Sequence, residues 1–169
     1  LALACDKVII RDGVVLNPHY QKMGLYGSEY WTYLLPKRVG AELAEQLTTE
    51  CEPMLASEAI QCHFADQLLP EDWDTYHEHL RDFCSAQSLR SDLNGELEQK
   101  RARRASDEAT KPLSAYRTEE LAKMREIFYD PAASYHLERK LFVYKGKLPE
   151  SMQNLSKETN AQSSGVNVA

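Results

Sequence analysis

The sequence predicts an α/β fold, and three observations carry that expectation. Two short β-branched runs closed by turn residues stand near the N-terminus. Segments with apolar residues at helical spacing fill most of the remainder. The chain has 169 residues, 43% of them hydrophobic and 27% charged, which suits one domain with a buried core.

The elements follow in order. Leu1-Ala2-Leu3-Ala4-Cys5 is small and apolar, with no Met and no polar lead-in, as the last turns of a buried helix would be. The chain is therefore expected to be part of a longer protein. Lys7-Val8-Ile9-Ile10-Arg11 reads as a strand closed by the Asp12-Gly13 turn. Val14-Val15-Leu16 reads as a second strand, stopped by Asn17-Pro18. Gly24 and Gly27 bracket a turn, after which Ser28 is placed to cap a helix running to Leu35, with Pro36 ending it. A helix over 41–49 presents Leu43, Ala44 and Leu47 on one face. Ser57 caps a short helix containing Ala56 and Ala59. Pro70 opens a longer helix that turns Trp73, Tyr76, Leu80 and Phe83 inward.

From Ser88 to Thr110 the composition becomes highly charged, with Leu89, Leu93 and Leu97 as a narrow stripe. Thr118 to Tyr129 forms a helix with Leu121, Met124 and Phe128 facing in, stopped by Asp130-Pro131. Leu141-Phe142-Val143-Tyr144 suits a strand or a docking segment. After Pro149 the chain turns to Ser, Asn, Gln and Gly, the composition of a disordered tail. The expected organisation is a core over 1–70, a helical extension over 71–148 and the tail over 149–169.

Composition excludes several functions. The net charge is −6, from 20 basic and 26 acidic residues, which argues against nucleic acid as the main partner. The run Lys100-Arg101-Ala102-Arg103-Arg104 is flanked by acids and reads as a solvated helix face. Nothing approaches the ~18–20 apolar residues a membrane span needs. Four scattered cysteines and no signal segment suit reduced thiols in the cytoplasm. His77 and His79, two apart on a helix, point in different directions and cannot share a metal. No Gly-rich phosphate loop and no Ser or Cys nucleophile motif is present.

One segment stands out as candidate chemistry. Between Asn17 and Trp31, fifteen residues hold three tyrosines, a histidine, a glutamate and a tryptophan around two glycines. Ordinary loops are built from Gly, Pro, Asn and Ser. Two readings of Glu29 stand side by side. It either complements the dipole of the helix it opens or serves as an acid–base group whose pKa an aromatic pocket raises. A phenol such as Tyr20 is, by itself, more often a satisfied core residue.

A family resemblance sharpens these readings. Leu1-Ala2 with Cys5-Asp6, then Gly24, Leu35, Val39-Gly40, and Ala56 with Ala59, resemble the crotonase (enoyl-CoA hydratase/isomerase) superfamily over residues 1 to 70. Tyr20 stands where that superfamily places its second catalytic glutamate, which speaks against water addition. Asn17-Pro-His-Tyr20, the run from Met23 to Pro36, Lys111-Pro-Leu-Ser-Ala-Tyr-Arg117 with Glu119-Glu120-Leu121, and Ser134-Tyr-His136 before Phe142-Val-Tyr-Lys145 are similar to the HypX (HoxX) group of hydrogenase maturation factors. That resemblance implies a partial crotonase-like fold, the C-terminal half of a ββα spiral with a helical C-terminal extension. It also implies that formyl-CoA, its formyl group drawn from formyl-tetrahydrofolate bound upstream, is decarbonylated to CO for hydrogenase iron. Tyr20 and Glu29 are then the catalytic candidates, with Asn17, His19, Tyr26, Tyr30 and Trp31 around the substrate. Coenzyme A is the implied cofactor, its grip and the oxyanion hole lying upstream of Leu1. The hydrogenase maturation machinery is the implied partner, with no nucleic acid, membrane or metal. The alternatives are a conventional hydratase or isomerase and a non-catalytic crotonase-like scaffold.

Overall fold

Residues 2–17 and 21–146 are described by the computed structural model of the chain. They form an α/β arrangement of four short strands and seven helices. Strand β1 (Ile9–Arg11) runs into strand β2 (Val15–Leu16) through Asp12-Gly13. Gly13 takes φ 74° there, the left-handed region that suits glycine, and Asp12 Oδ1 accepts its N–H at 2.8 Å. The chain then passes through helix α1 (Trp31–Val39), helix α2 (Ala41–Glu50), strand β3 (Met54–Leu55), helix α3 (Ala56–Gln61) and strand β4 (Gln67–Leu69).

Two separate pairings result. β1 lies parallel to β4, with Ile9, Ile10 and Arg11 opposite Gln67, Leu68 and Leu69. β2 lies antiparallel to β3, and Ala56 N–H extends that ladder to Val14 C=O at 3.1 Å. The core forms where the pairs meet α3, around Ile10, Met54, Ala56, Ala59 and Ala65. Ala59 has no exposed surface; alanines at 56 and 59 let α3 lie close to the strands. Asp66, just before β4, binds Arg38 through both carboxylate oxygens at 3.2 and 2.6 Å and accepts Val8 N–H at 2.6 Å. The end of α1 is thereby tied to the parallel pair.

The second half is helical: α4 (Trp73–Ser88), α5 (Leu93–Thr110), α6 (Leu113–Tyr129) and α7 (Tyr135–Val143). Asp72 caps α4 by accepting Thr75 N–H at 2.9 Å. α1 is one of the elements that join the two halves. Its Leu35 is only 2% exposed, a burial that stabilises by roughly 1.5–3 kcal/mol. Its Tyr33 hydroxyl and Lys37 ammonium both donate to Asp107 of α5, at 2.9 and 2.6 Å.

Several expectations are corrected. Ala2–Ala4 is a short 3-10 turn with no buried residue, not the end of a buried helix. α1 begins at Trp31 without a Ser28 cap, and it continues through Pro36 to Val39. Proline removes one hydrogen bond, to Thr32 C=O, while Leu35 burial and the Arg38–Asp66 pair hold both sides of it. Ser57 does not cap α3; Glu58 does, accepting Leu55 N–H at 2.7 Å. Trp73 is 57% exposed and Leu89, beyond the end of α4, is 83% exposed. α6 begins five residues before Thr118, and its inward stripe is Arg117, Glu120, Met124 and Ile127, one position rotated from Leu121 and Phe128. Leu141–Val143 is the last turn of α7, with Phe142 75% exposed. A four-residue apolar run cannot be told from helix by periodicity alone. The expected tail over 149–169 lies outside the described residues.

Two predictions follow from these contacts. Gly24 has φ +70°, and a Cβ there would stand 2.7 Å from the backbone of Tyr135 at the start of α7. Gly24→Ala should therefore lower stability by roughly 1–3 kcal/mol, read as a fall in melting temperature. Asp107 is held below its ordinary pKa of 3.8, first by the Lys37 hydrogen bond and then by Tyr33. A depressed carboxyl gives its full stabilisation above the unfolded value, and loses it as pH falls through the folded value. The gap in melting temperature between wild type and Asp107→Asn should be constant above about pH 5 and narrow as pH falls below about 4.

Candidate active site

Three backbone devices shape the segment between β2 and α1. A 3-10 turn over Gln21–Met23 leads to Gly24. Gly27, at φ 87°, is buried, and its N–H points at Met124 Sδ of α6 at 3.1 Å. Tyr30, the residue before α1, takes φ 60° and ψ 25°. That left-handed conformation is uncommon for any side chain larger than glycine. It turns the chain sharply into the helix immediately after Glu29.

The first amides of α1 lack a local side-chain cap and are satisfied from α6. Glu120 Oε2 accepts Tyr30 N–H at 2.8 Å, and Oε1 accepts Thr32 N–H at 3.1 Å and the Thr32 hydroxyl at 2.6 Å. Glu120 has no exposed surface at all. One turn earlier, the Arg117 guanidinium lies over the Tyr30 ring, 5.6 Å from its centre. The positive end of the α1 dipole is thus occupied by a protein carboxylate and is not open to a ligand anion.

On this frame the Tyr26 and Trp31 rings meet edge to face, 5.1 Å apart. Burial first, and the nearby Glu120 charge second, raise the Tyr26 pKa above its usual 10.0. Tyr26 is therefore a neutral phenol at physiological pH, able to donate. Glu29 lies before the left-handed turn and not in the first turn of α1, and its Oε2 accepts Ser28 N–H at 2.9 Å. It is exposed, so the described residues do not supply the buried surroundings expected to raise its pKa. Asn17 is exposed at the end of β2. His19 and Tyr20 lie outside the described residues.

The structure therefore gathers Tyr26, Glu29, Tyr30 and Trp31 on one short segment held by α6. The sequence places Met124 inward and sets Arg117 and Glu120 in a family motif, but gives none of the three a role at this segment. Glu119 and Glu120 are adjacent and chemically identical; Glu119 pairs with Lys111 at 2.7 Å in solvent while Glu120 is sealed inside. Only the stripe at positions 117, 120, 124 and 127 could have separated them.

Features elsewhere fit their plainer readings. Lys100 pairs with Asp6 and Arg104 with Glu108, while Arg101 and Arg103 are exposed on α5. Two open grooves, of about 480 and 390 Å³, lie by Asp6 and α5 and between α2 and α3; neither is lined by Tyr26, Glu29, Tyr30 or Trp31. His77 is exposed, with Nδ1 2.6 Å from Trp73 C=O. No helix among the described residues is long and apolar enough to cross a membrane.

Comparison with known proteins agrees with this architecture. The sequence profile of the enoyl-CoA hydratase/isomerase family matches residues 1–153. The hydrogenase maturation factor HoxX of Bradyrhizobium diazoefficiens is 44% identical over 162 residues, which is 92% of this chain and 27% of HoxX. The crystal structure of HypX from Aquifex aeolicus in complex with tetrahydrofolic acid superimposes with a TM-score of 0.77 at 36% identity, covering 87% of this chain and 26% of HypX. An enoyl-CoA hydratase/isomerase from Pseudoalteromonas atlantica shares the fold at 18% identity, with a TM-score of 0.69 over 88% of this chain and 56% of its own. The chain thus spans about a quarter of the length of its HoxX and HypX relatives. Because the profile covers every described residue and the same fold recurs in solved relatives, the chain belongs to the enoyl-CoA hydratase/isomerase family and within it is similar to the HypX and HoxX maturation factors.

Proposed function

We propose that this chain supplies the acid–base end of a site that decarbonylates formyl-CoA during hydrogenase maturation. The observation that carries the reading is the 44% identity to HoxX across 92% of the chain, which takes in the unusual Asn17–Trp31 segment. Tetrahydrofolate bound by a HypX relative supports a folate formyl donor, held by a region outside this chain.

The residues fit one end of a CoA thioester. Tyr26 and Trp31 offer an aromatic wall, and Glu29 precedes Trp31 by two residues on the same segment. The CoA phosphates call for cations, yet residues 21–32 contain only Lys22, which is 2.6 Å from Glu52, and the neighbouring Arg117, Lys111 and Lys123 are engaged by the Tyr30 ring, Glu119 and Glu126. The amides at the start of α1 are already bound to Glu120. The acyl end therefore belongs here, and the grip on the phosphates belongs elsewhere in the full-length protein.

The reaction breaks two bonds of the formyl thioester. The C–H proton leaves to a base and its electron pair stays on carbon. The C–S bond breaks with its electron pair on sulfur, which accepts a proton and departs as the free thiol. CO remains, with no net oxidation and no water consumed. Glu29 and Tyr20 are the two groups that take up and return these protons, one at carbon and one at sulfur. An unperturbed carboxyl and phenol lie near pKa ~4.3 and ~10, so the pair must be brought closer by its surroundings. The thioester, laid against Tyr26 and Trp31, provides apolar cover that the described residues leave off Glu29. The same cover keeps out water that would hydrolyse the thioester to formate.

In the full-length protein, Tyr20→Phe and Glu29→Gln should each lower CO release from formyl-CoA by roughly 100-fold or more. Binding should persist, with CoA at ~100 times Kd still raising stability by ~2.7 kcal/mol. Undiminished CO output from either variant removes that residue from the mechanism. Crotonyl-CoA should not be hydrated by the wild-type protein, since Tyr20 replaces the second glutamate; rapid hydration would favour a conventional hydratase.

A further inference from the structure

The buried carboxylate of Glu120 is the strongest feature that the proposed chemistry leaves unused. No ion pair among the described residues includes it. Burying a carboxylate is unfavourable unless its oxygens are well bonded, and a Ser or Asp at position 30 would cap α1 locally without that penalty. Instead the chain places a left-handed Tyr30 at the cap and reaches across 90 residues for the acceptor. Two unfavourable choices made together point to a role other than ending a helix.

We propose that Glu120 is a positioning residue for the acid–base group Glu29, a role that rests on the decarbonylase reading above. The N–H that Glu120 holds belongs to the Glu29–Tyr30 peptide. A peptide unit is planar, so fixing that N–H also fixes the orientation of the Glu29 carbonyl carbon and restricts Glu29's own ψ. The second attachment is Gly27 N–H on Met124 Sδ. Glu120 and Met124 lie four residues apart on one face of α6, so Gly27 and Tyr30 are fastened to consecutive turns of a rigid helix. Ser28 and Glu29 are the two residues spanned between these attachments. Ser28 N–H bonds Glu29 Oε2, which adds a third restraint on the Glu29 side chain. The carboxylate is thereby held in a narrow set of directions before substrate arrives, the condition under which a general acid or base is effective.

The test uses the full-length protein and four variants: Glu120→Gln, Glu120→Asp, Glu119→Gln and Glu29→Gln. Glutamine keeps the shape but offers one acceptor oxygen; aspartate keeps the charge but is too short to span both amides. For each, kcat and KM for CO release from formyl-CoA are measured per folded molecule. Amide hydrogen exchange is followed over residues 27–32. The expected result for Glu120→Gln is a kcat lowered about 10- to 100-fold, a KM within about twofold of wild type, and faster exchange at Tyr30. Glu119→Gln alters the adjacent, exposed carboxylate that pairs with Lys111 and leaves the Glu120 bonds in place, so its kcat should stay within about threefold of wild type. Should Glu120→Gln not fold, Glu120→Asp is read by the same criteria.

A purely structural role would lower melting temperature and yield, leaving kcat per folded molecule unchanged. That result, or unaltered exchange at Tyr30, overturns the inference. Normal CO output from Glu29→Gln would instead overturn the decarbonylase reading of Glu29. Loss in Glu29→Gln together with wild-type kcat in the Glu120 variant overturns the positioning role alone.

Discussion

The bond network of Glu120 organises this structure more than any other single interaction. A carboxylate sealed from water accepts two amides and a hydroxyl at the start of α1, so the helix dipole is met by a charge from a distant segment. α1 in turn touches the parallel strand pair through Arg38 and Asp66, and α5 through Tyr33, Lys37 and Asp107. Without the carboxylate α1 would begin with uncapped amides, whereas Lys37 and Arg38 hold its opposite end.

This gives the helical extension a task beyond covering the strands. α6 presents Arg117, Glu120 and Met124 as a template on which the Gly24–Thr32 segment is laid, and α7 meets Gly24 so closely that a methyl group would not fit. The segment that concentrates aromatic and titratable groups is therefore not a free loop. Its backbone is fastened at Gly24, Gly27, Tyr30 and Thr32, while the Glu29 side chain stays exposed. A rigid backbone carrying an accessible reactive side chain is the arrangement in which binding and chemistry are most often found.

The relation to the enoyl-CoA hydratase/isomerase family separates fold from chemistry. A hydratase/isomerase at 18% identity shares the architecture, while the proposed decarbonylase site sets a tyrosine, Tyr20, against the superfamily's second glutamate. A phenol and a carboxyl differ by some six pKa units when unperturbed. Keeping the scaffold while exchanging one for the other changes which proton transfers are feasible near a thioester.

Much of this was legible in the amino-acid sequence, because it follows from local physics. β-branched runs before turn residues gave β1 and β2, helical spacing with Gly40 as punctuation gave α2, and the density of aromatic and titratable residues marked 17–31. Where local rules failed, a distant contact outweighed them. Pro36 sits inside α1 because Leu35 and Arg38 are anchored on either side of it, and α6 turns by one residue because a carboxylate, not Leu121, satisfies the amides of α1. The choice between Glu119 and Glu120 has no local signature, since the two residues have the same propensity and the same charge. By itself the sequence determined the family resemblance, strands β1 and β2, most of the helices and the candidate segment, all encoded in neighbouring residues, whereas strands β3 and β4 form only through their distant partners. The tertiary structure alone decided which glutamate is buried and what holds Tyr30 in its left-handed turn, because burial and hydrogen-bond satisfaction depend on what the rest of the chain brings to the same place.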